Sequence, residues 1–342
     1  MRERFREMKH KTIIDIAKEL KISVSTVSRA LNNHPDIHEN TKLLVNKVAK
    51  RIGYVPNPIA LGLRKNRTST IGVIVPEIKH DFFSSAISGI EEIAYHSGFT
   101  IIVCQSNESY DREVINTRAL MHHRVAGIIV SISQTTKNGN HFKELNKHGI
   151  PLVFFDRVCH DVNVSKVIID DRKSAFNAVN YLIKKGYKRI AHFGGPQELD
   201  ICSKRFAGYK DALECEGMAV DKSIIYFGGL HEEDGYSAMD KIIKKRKSID
   251  AVFAVNDPVA IGAYQRIKEA GLKIPKDIGI VGFSNNKITL LVEPPITTVN
   301  QPSFSMGKRA AEILIELINK NNIKIEPIVE VLDTELIIRK ST

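Results

Sequence analysis

The stretch Thr12–Asn32, TIIDIAKELKISVSTVSRALN, decides how this 342-residue chain is read. Thr12 followed by Asp15 is a capping-box-like start, in which the Thr hydroxyl serves a free backbone N–H of the first helical turn. Ile13, Ile16, Ala17 and Leu20 then recur at helical spacing. Lys21-Ile22-Ser23 makes a turn, and Ser23 caps a second helix that runs to Leu31. Its apolar stripe, Val24, Val27 and Leu31, is expected to face inward, leaving Ser25, Thr26, Ser28 and Arg29 outside. A third helix, about Glu39 to Ile52, is expected to bury Leu43, Leu44, Val48 and Ile52, and it ends at Gly53, a normal residue after a helix C-terminus. Two short helices joined by a tight turn have helix-turn-helix geometry. Small hydroxyls on the second helix allow close approach to base edges in a major groove, where Arg pairs with guanine or phosphate. A small helical bundle with a solvated polar face has the same pattern.

Charge separates these two readings. Residues 1–70 hold 15 Lys/Arg against 6 Asp/Glu, and the remainder is nearly balanced at 35 against 33. A head that carries most of the excess positive charge seeks a polyanion. The opening MRERFREMKH lacks the apolar core of a secretory signal, and no apolar run nears the roughly 18–20 residues that cross a bilayer. The expected location is therefore cytoplasmic, with no membrane partner. Cys104, Cys159, Cys202 and Cys215 are scattered without a C-x-x-C pair, as reduced thiols are. No metal site and no cofactor are expected.

Past Gly53 the chain reads YVPNPIALGLRKNR to Arg67. Asn57 is a good N-cap and Pro58 suits the first helical position, so a helix of one or two turns starts here, too short to be stable alone. Leu63 beside Arg64 puts an apolar wedge next to a cation, a pair suited to a minor groove that is pried open. An ordinary linker has the same spacing.

From Ile71 short β-rich runs alternate with amphipathic segments. Strands are expected at Ile71–Val75, Thr100–Cys104, Gly127–Ser131, Pro151–Phe155, Arg189–Phe193, Ile224–Phe227, Ala251–Val255 and Gly279–Phe283, with a last strand region in Ile325–Ile338. Helices lie between, among them Phe83–His96, Ser174–Lys185, Lys204–Glu214 and Pro258–Ala270. The alternation indicates parallel, doubly wound α/β sheets, and the strand number suggests two lobes. Ligands in such sheets sit at the carboxyl ends of strands. The residues there are polar: Gln105-Ser106-Asn107, Ser131, Asp156-Arg157, Asn256-Asp257 and Ser284-Asn285-Asn286. Hydroxyls, amides and one Arg suit a polyol or sugar phosphate, whose hydroxyls each need a partner once water leaves. Phe82-Phe83 could stack on an apolar sugar face. No G-x-x-x-x-G-K-[ST], G-x-S-x-G or H-E-x-x-H pattern occurs, so an enzyme is not expected.

The opening run, together with GYVPNPIALGLR (53–64) and TIGVIVP (70–76), resembles the lactose/galactose-repressor family of bacterial transcription regulators, from about Lys11 to Arg339. The resemblance implies a 1–10 extension, a helix-turn-helix domain over 11–56, a hinge over 57–68 and a two-lobed effector and dimerisation domain over 69–342. The lobe boundary is expected near 158–165, with crossovers near 287–297 and 321–327. Val24, Ser25, Ser28 and Arg29 would select a palindromic operator, supported by Ser23, Thr26 and Asn32. Thr12, Asn57 and Arg64 complete the DNA-facing set, and Leu63 takes the part of the wedging hinge leucine. The effector, by resemblance a carbohydrate or sugar derivative, would lie between the lobes. Phe83, Arg157, Arg205, Asn256 and Gln301 match the family's contacts, with Gln105, Ser131 and Ser284 added from the strand ends.

Several positions depart from the family pattern. Gly62 stands in the hinge where a cation-bearing segment is usual, and His38 replaces a Ser cap. Gly282-Phe283-Ser284 lacks the usual acid, so that either the pocket is enlarged or Asn285 stands in. Leu199 and Ile201 are apolar where some members carry polar contacts. The family's tetramer-forming leucine-heptad tail is absent, which predicts a homodimer.

Overall fold

The computed structural model describes residues 11–54, 68–320 and 326–342. The expected extension over 1–10 and the hinge residues Asn57, Leu63 and Arg64 lie outside the described residues. The chain falls into two compact units that divide between Thr68 and Ser69.

The first unit holds α1 (Ile13–Leu20), α2 (Val24–Leu31) and α3 (Glu39–Arg51). The Thr12 backbone N–H and hydroxyl both donate to Asp15 Oδ2, at 2.8 and 3.0 Å. Lys21, at φ +54°, turns the chain. Ser23 Oγ then accepts from Thr26 N at 3.0 Å and starts α2. Ile16, Ala17, Val27, Ala30, Val45, Val48 and Ala49 form the core. Two expectations about burial are corrected. Val24 is 39% exposed, and in α3 Leu43 and Leu44 are 67% and 54% exposed. The buried stripe of α3 runs Val45, Val48, Ala49 and the half-buried Ile52, spaced i, i+3, i+4, i+7, which leaves 43 and 44 on the opposite side of the cylinder. His38 does cap α3, its Nδ1 accepting from Asn40 N at 3.3 Å.

The second unit has two six-stranded sheets. One contains β1 (Thr70–Val75), β2 (Thr100–Gln105), β3 (Gly127–Val130), β4 (Leu152–Phe155), β5 (Ser165–Ile169) and β11 (Val329–Leu332), in the order β11-β5-β4-β3-β1-β2. The other contains β6 (Ile190–Gly194), β7 (Ile225–Phe227), β8 (Ala251–Ala254), β9 (Gly279–Phe283), β10 (Thr297–Asn300) and β12 (Glu335–Ile337), ordered β12-β10-β9-β8-β6-β7. Among the described residues, only β12 against β10 is antiparallel. Helices α4 (Asp81–His96), α5 (Tyr110–His122), α6 (Asn140–Lys147), α7 (Asp171–Lys184), α8 (Asp200–Cys215), α9 (Glu232–Lys244), α10 (Asp257–Glu269), α11 (Ile288–Leu291) and α12 (Ser303–Asn319) link the strands. Each sheet with its helices is one lobe.

The lobe crossings fall later than expected. β5 pairs with β4 through Val153–Ser165 and Phe155–Val167, so the first crossing follows Ile169 and not 158–165. β10 still belongs to the second sheet whereas α12 packs on β3, β4 and β5, which places the second crossing between Asn300 and Ser303. The final strand region splits into β11 and β12, one in each sheet, so the third crossing is at Asp333-Thr334.

Helix α12 returns to the first lobe and lies directly on α4. A methyl group at Gly307 would stand 2.0 Å from Ala86 O, and one at Gly89 would stand 2.1 Å from Phe304 O. Backbone, not a flexible side chain, fills that space, so the helices must separate to accept it. Gly307→Ala is therefore expected to destabilise the body by about 1–3 kcal/mol, despite the higher helix propensity of Ala. A urea midpoint unchanged or raised in this variant would contradict the close helix contact.

Candidate functional site

The carboxyl ends of both sheets converge on one cleft in the second unit. From the first lobe come Phe82 and Phe83 in the first turn of α4, and Asp156 and Arg157 after β4. From the second come Ile201 and Arg205 on α8, Leu230, Asn256 and Pro258 at the start of α10, and Ser284 and Asn286 after β9. Gln301 completes the lining where the chain crosses back. The free space is about 50 Å³, room for a few water molecules.

Each buried charge in the cleft has a partner. Arg157 Nη1 donates to both carboxylate oxygens of Glu108, at 2.8 and 3.0 Å, and its guanidinium sits 5.5 Å from the Phe83 ring. Arg205 Nε donates to Asp171 Oδ1 at 2.8 Å and its Nη1 to Val255 O at 2.7 Å, while the guanidinium lies 3.7 Å over Phe283. Asp156, held at φ +59°, is buried. Gln301 Nε2 reaches its Oδ1 at 3.4 Å, and Ser284 Oγ donates to Gln301 Oε1 at 2.7 Å. Burial pushes the Asp156 carboxyl up, opposed by the charges of Arg157 and Arg205. Asn256 caps α10, its Oδ1 accepting from Val259 N at 2.9 Å and its Nδ2 donating to Leu230 O at 2.9 Å.

Of the effector-facing residues read from the sequence, Phe83, Arg157, Arg205, Asn256, Ser284 and Gln301 line this cleft; Gln105 and Ser131 do not. Gln105 Oε1 accepts from Ile78 N at 3.1 Å and so braces the loop after β1. Ser131 is fully buried beyond β3. Asn285 is also turned away from the cleft: its Nδ2 donates to Asn300 Oδ1 at 3.0 Å and its Oδ1 accepts from Arg339 Nη2 at 2.6 Å. The cleft's carboxylate is Asp156, from the lobe opposite Ser284. Sequence reasoning missed Glu108, whose signal is faint: it follows Asn107 in a turn where both have positive φ. It also missed His80, which lines the cleft.

In the first unit, Ser23, Val24, Ser25, Arg29 and Asn32 are exposed along one side of α2, with Thr26 and Ser28 half-buried. Ser23 Oγ lies 2.7 Å from Ser25 Oγ and 2.8 Å from Thr26 Oγ1, and Asn32 Nδ2 donates to Ser28 O at 2.6 Å. Thr12 is exposed at the start of α1. The helix thus presents hydroxyls, one methyl-bearing side chain and one cation.

Comparison with known proteins assigns both units. Residues 12–57 match bacterial regulatory proteins of the lacI family, and residues 68–330 match the periplasmic binding proteins and sugar binding domain of that family. The chain belongs to the LacI family. It is 34% identical to catabolite control protein A of Priestia megaterium over 91% of this chain and 94% of that protein. It is 33% identical to the transcriptional repressor CytR of Escherichia coli K12 over 97% and 96%. Among solved structures, the regulator CelR in complex with cellobiose superposes with a TM-score of 0.74 at 28% identity, covering 97% of this chain and all of that one. The lac repressor dimer bound to operator shares the fold, with a TM-score of 0.84 at 22% identity over 97% of this chain and 99% of its own. Like its LacI-family relatives, the protein is a DNA-binding transcription regulator with an effector-binding body. Among the described residues, no helix is long and apolar enough to cross a membrane.

Next to the cleft, Asp257 is fully buried, with Oδ2 accepting from Asn286 N at 2.7 Å and Oδ1 from Thr298 Oγ1 at 2.7 Å. Burial outweighs these bonds and pushes the carboxyl up to about 6. The folded state therefore holds this proton more tightly than the unfolded chain does. Its contribution to stability is complete below about pH 4 and is lost as the pH rises through 6. Relative to Asp257→Asn, the parent should lose roughly 2–3 kcal/mol of stability between pH 4 and pH 7. Urea unfolding of both proteins across that range checks this, and a difference that does not change with pH would contradict it.

Proposed function

We propose that this regulator is a cytoplasmic homodimeric repressor that binds a palindromic operator, with a neutral carbohydrate as effector and no enzymatic activity. The observation that carries the effector class is the pairing of charge in the cleft. Arg157 is already paired with Glu108 and Arg205 with Asp171, so that, among the described residues, the charge of each cleft arginine is balanced by a carboxylate before any phosphate arrives, although the Arg157 Nε donor makes no hydrogen bond. What remains for a ligand is a carboxylate, amides, a hydroxyl and an aromatic face, the set that pairs sugar hydroxyls and stacks on a pyranose. The cellobiose held by the relative CelR supports the same class. Val24, Ser25, Ser28 and Arg29 read the operator half-site, with Thr12, Ser23, Thr26 and Asn32 as supporting contacts, and Asn57, Leu63 and Arg64 act at its centre. Effector binding between the lobes shifts the angle at which they stand. That change alters operator affinity, and the coupling is reciprocal.

Selection of DNA from a random pool by the full-length protein, near physiological salt to suppress nonspecific phosphate binding, should enrich a palindrome with a central pyrimidine–purine step. Enrichment of a single half-site or of nothing, with and without carbohydrates present, would count against the dimeric operator reading. Calorimetry against neutral mono- and disaccharides and their phosphates then tests the effector. Asp156→Asn should weaken binding of the neutral sugar roughly 10–100-fold, the worth of a hydrogen bond to a charged group. Operator affinity without sugar should stay the same. Preference for the phosphorylated sugars would overturn the neutral class.

A further inference from the structure

Beside the cleft, three ligand-type side chains from the two lobes meet. Glu77 and His80 belong to the loop between β1 and α4, and His231 is the N-cap of α9. One donor atom from each lies within 4.8 Å of the others. Glu77 Oε2 is 2.6 Å from His80 Nε2 and 3.8 Å from His231 Nδ1. The two imidazole rings stand 5.8 Å apart and 13° from parallel. We propose that Glu77, His80 and His231 bind a divalent first-row transition ion, zinc foremost, that clasps the lobes together.

Zinc bonds of about 2.0–2.2 Å to nitrogen and oxygen at tetrahedral angles put donors about 3.3–3.6 Å apart. The 3.8 Å between Glu77 and His231 is near this value, whereas Glu77 and His80, paired directly at 2.6 Å, must part to admit the ion. The donor set selects the ion: imidazole suits zinc and its neighbours, whereas magnesium and calcium require oxygen ligands. Three protein ligands leave a fourth position for water or for an oxygen of a molecule in the cleft that His80 lines. Glu77 supplies a second, independent observation. It is 93% buried by its 7% exposure, and its Oε2, though 2.6 Å from His80 Nε2, makes no hydrogen bond of good geometry. Lys79, largely exposed, lies 3.7 Å from the other oxygen, Oε1, so Oε2 is left facing the imidazoles. A buried acceptor without a hydrogen bond is costly, and a metal bond satisfies it. The ligands come from two separate segments of the chain, so binding links the first lobe to the second whatever the effector proves to be.

The test is calorimetric titration of the chelator-stripped, full-length protein with zinc chloride alone, followed by thermal unfolding and by the visible spectrum with cobalt(II). The expected result is one ion per chain, a melting temperature raised by roughly 5–10 °C at a hundredfold excess over the dissociation constant, and cobalt bands of a four-coordinate nitrogen and oxygen site. Glu77→Gln and His231→Asn, the latter retaining a good N-cap, should each weaken zinc binding at least about tenfold and abolish the thermal shift. Magnesium should not compete. Absence of stoichiometric binding, or binding of equal strength in both variants, would overturn the proposal. Should a variant fail to fold, the parent's cobalt spectrum decides: six-coordinate, weak bands exclude the clasp.

Discussion

One guanidinium anchors the second lobe where the chain enters it. Arg205 projects from α8 into a space where Asp171, the first residue after the chain enters the second lobe, meets the ends of β8 and β9. It closes an ion pair with the first, donates to the carbonyl of Val255 just beyond β8, and covers Phe283 at the end of β9. Burial pushes the Asp171 carboxyl up to about 6 even with this partner. Without Arg205 the acid would face a dry interior unpaired, and removal of one member of a buried pair costs more than the pair contributes. The same cation opposes the burial of Asp156 across the cleft. A single side chain thus stabilises the entry to the second lobe and, with Arg157, shapes the charge of the cleft.

How much of this was legible in the sequence depended on what each segment buries. β1, β3, β4, β8 and β9 are covered on both faces and read as continuous apolar runs bounded by polar residues. β5 and β10 were not read. Ser165-Lys166-Val167-Ile168-Ile169 alternates buried and half-buried, and Thr297-Thr298-Val299-Asn300 is short and rich in threonine, so only pairing with β4 and β9 makes them strands. The lobe crossings shifted for the same reason, since a boundary lies where pairing stops. In α3 an adjacent leucine pair suggested a core, but periodicity favoured Val45, Val48 and Ala49. Within the cleft, the residues that directly follow strands were visible by rule. Glu108 and His80 were not, because a charged residue in a turn and a histidine at a helix start are usually solvated.

The head shows how hydroxyl side chains acquire two duties. Ser23 and Thr26 bond to one another and to the backbone at the start of α2, which fixes where the helix begins. In the proposed readout, position along the helix axis determines which side chains reach a base edge, so the cap acts on it by fixing where the helix begins. The exposure of Val24 belongs to the same arrangement. At 39% exposure Val24 leaves an apolar side chain at the first turn open to the thymine methyl that the proposed readout would offer it.

The way the lobes are joined constrains any signal between cleft and head. Three segments cross between the lobes, after Ile169, between Asn300 and Ser303, and at Asp333-Thr334, and each is only a few residues long. Short parallel connectors resist translation of one lobe along the other but permit rotation about an axis through them. Two of the three are bound to the cleft itself. Asp171 at the first crossing holds Arg205, and Gln301 at the second joins Ser284 of one lobe to Asp156 of the other. A molecule that enters the cleft must compete for the bonds of Gln301 and Arg205, and so acts on the connectors directly. The path from ligand to connector is short, because Gln301 at the second crossing lines the cleft and Asp171 at the first holds Arg205, which lines it too.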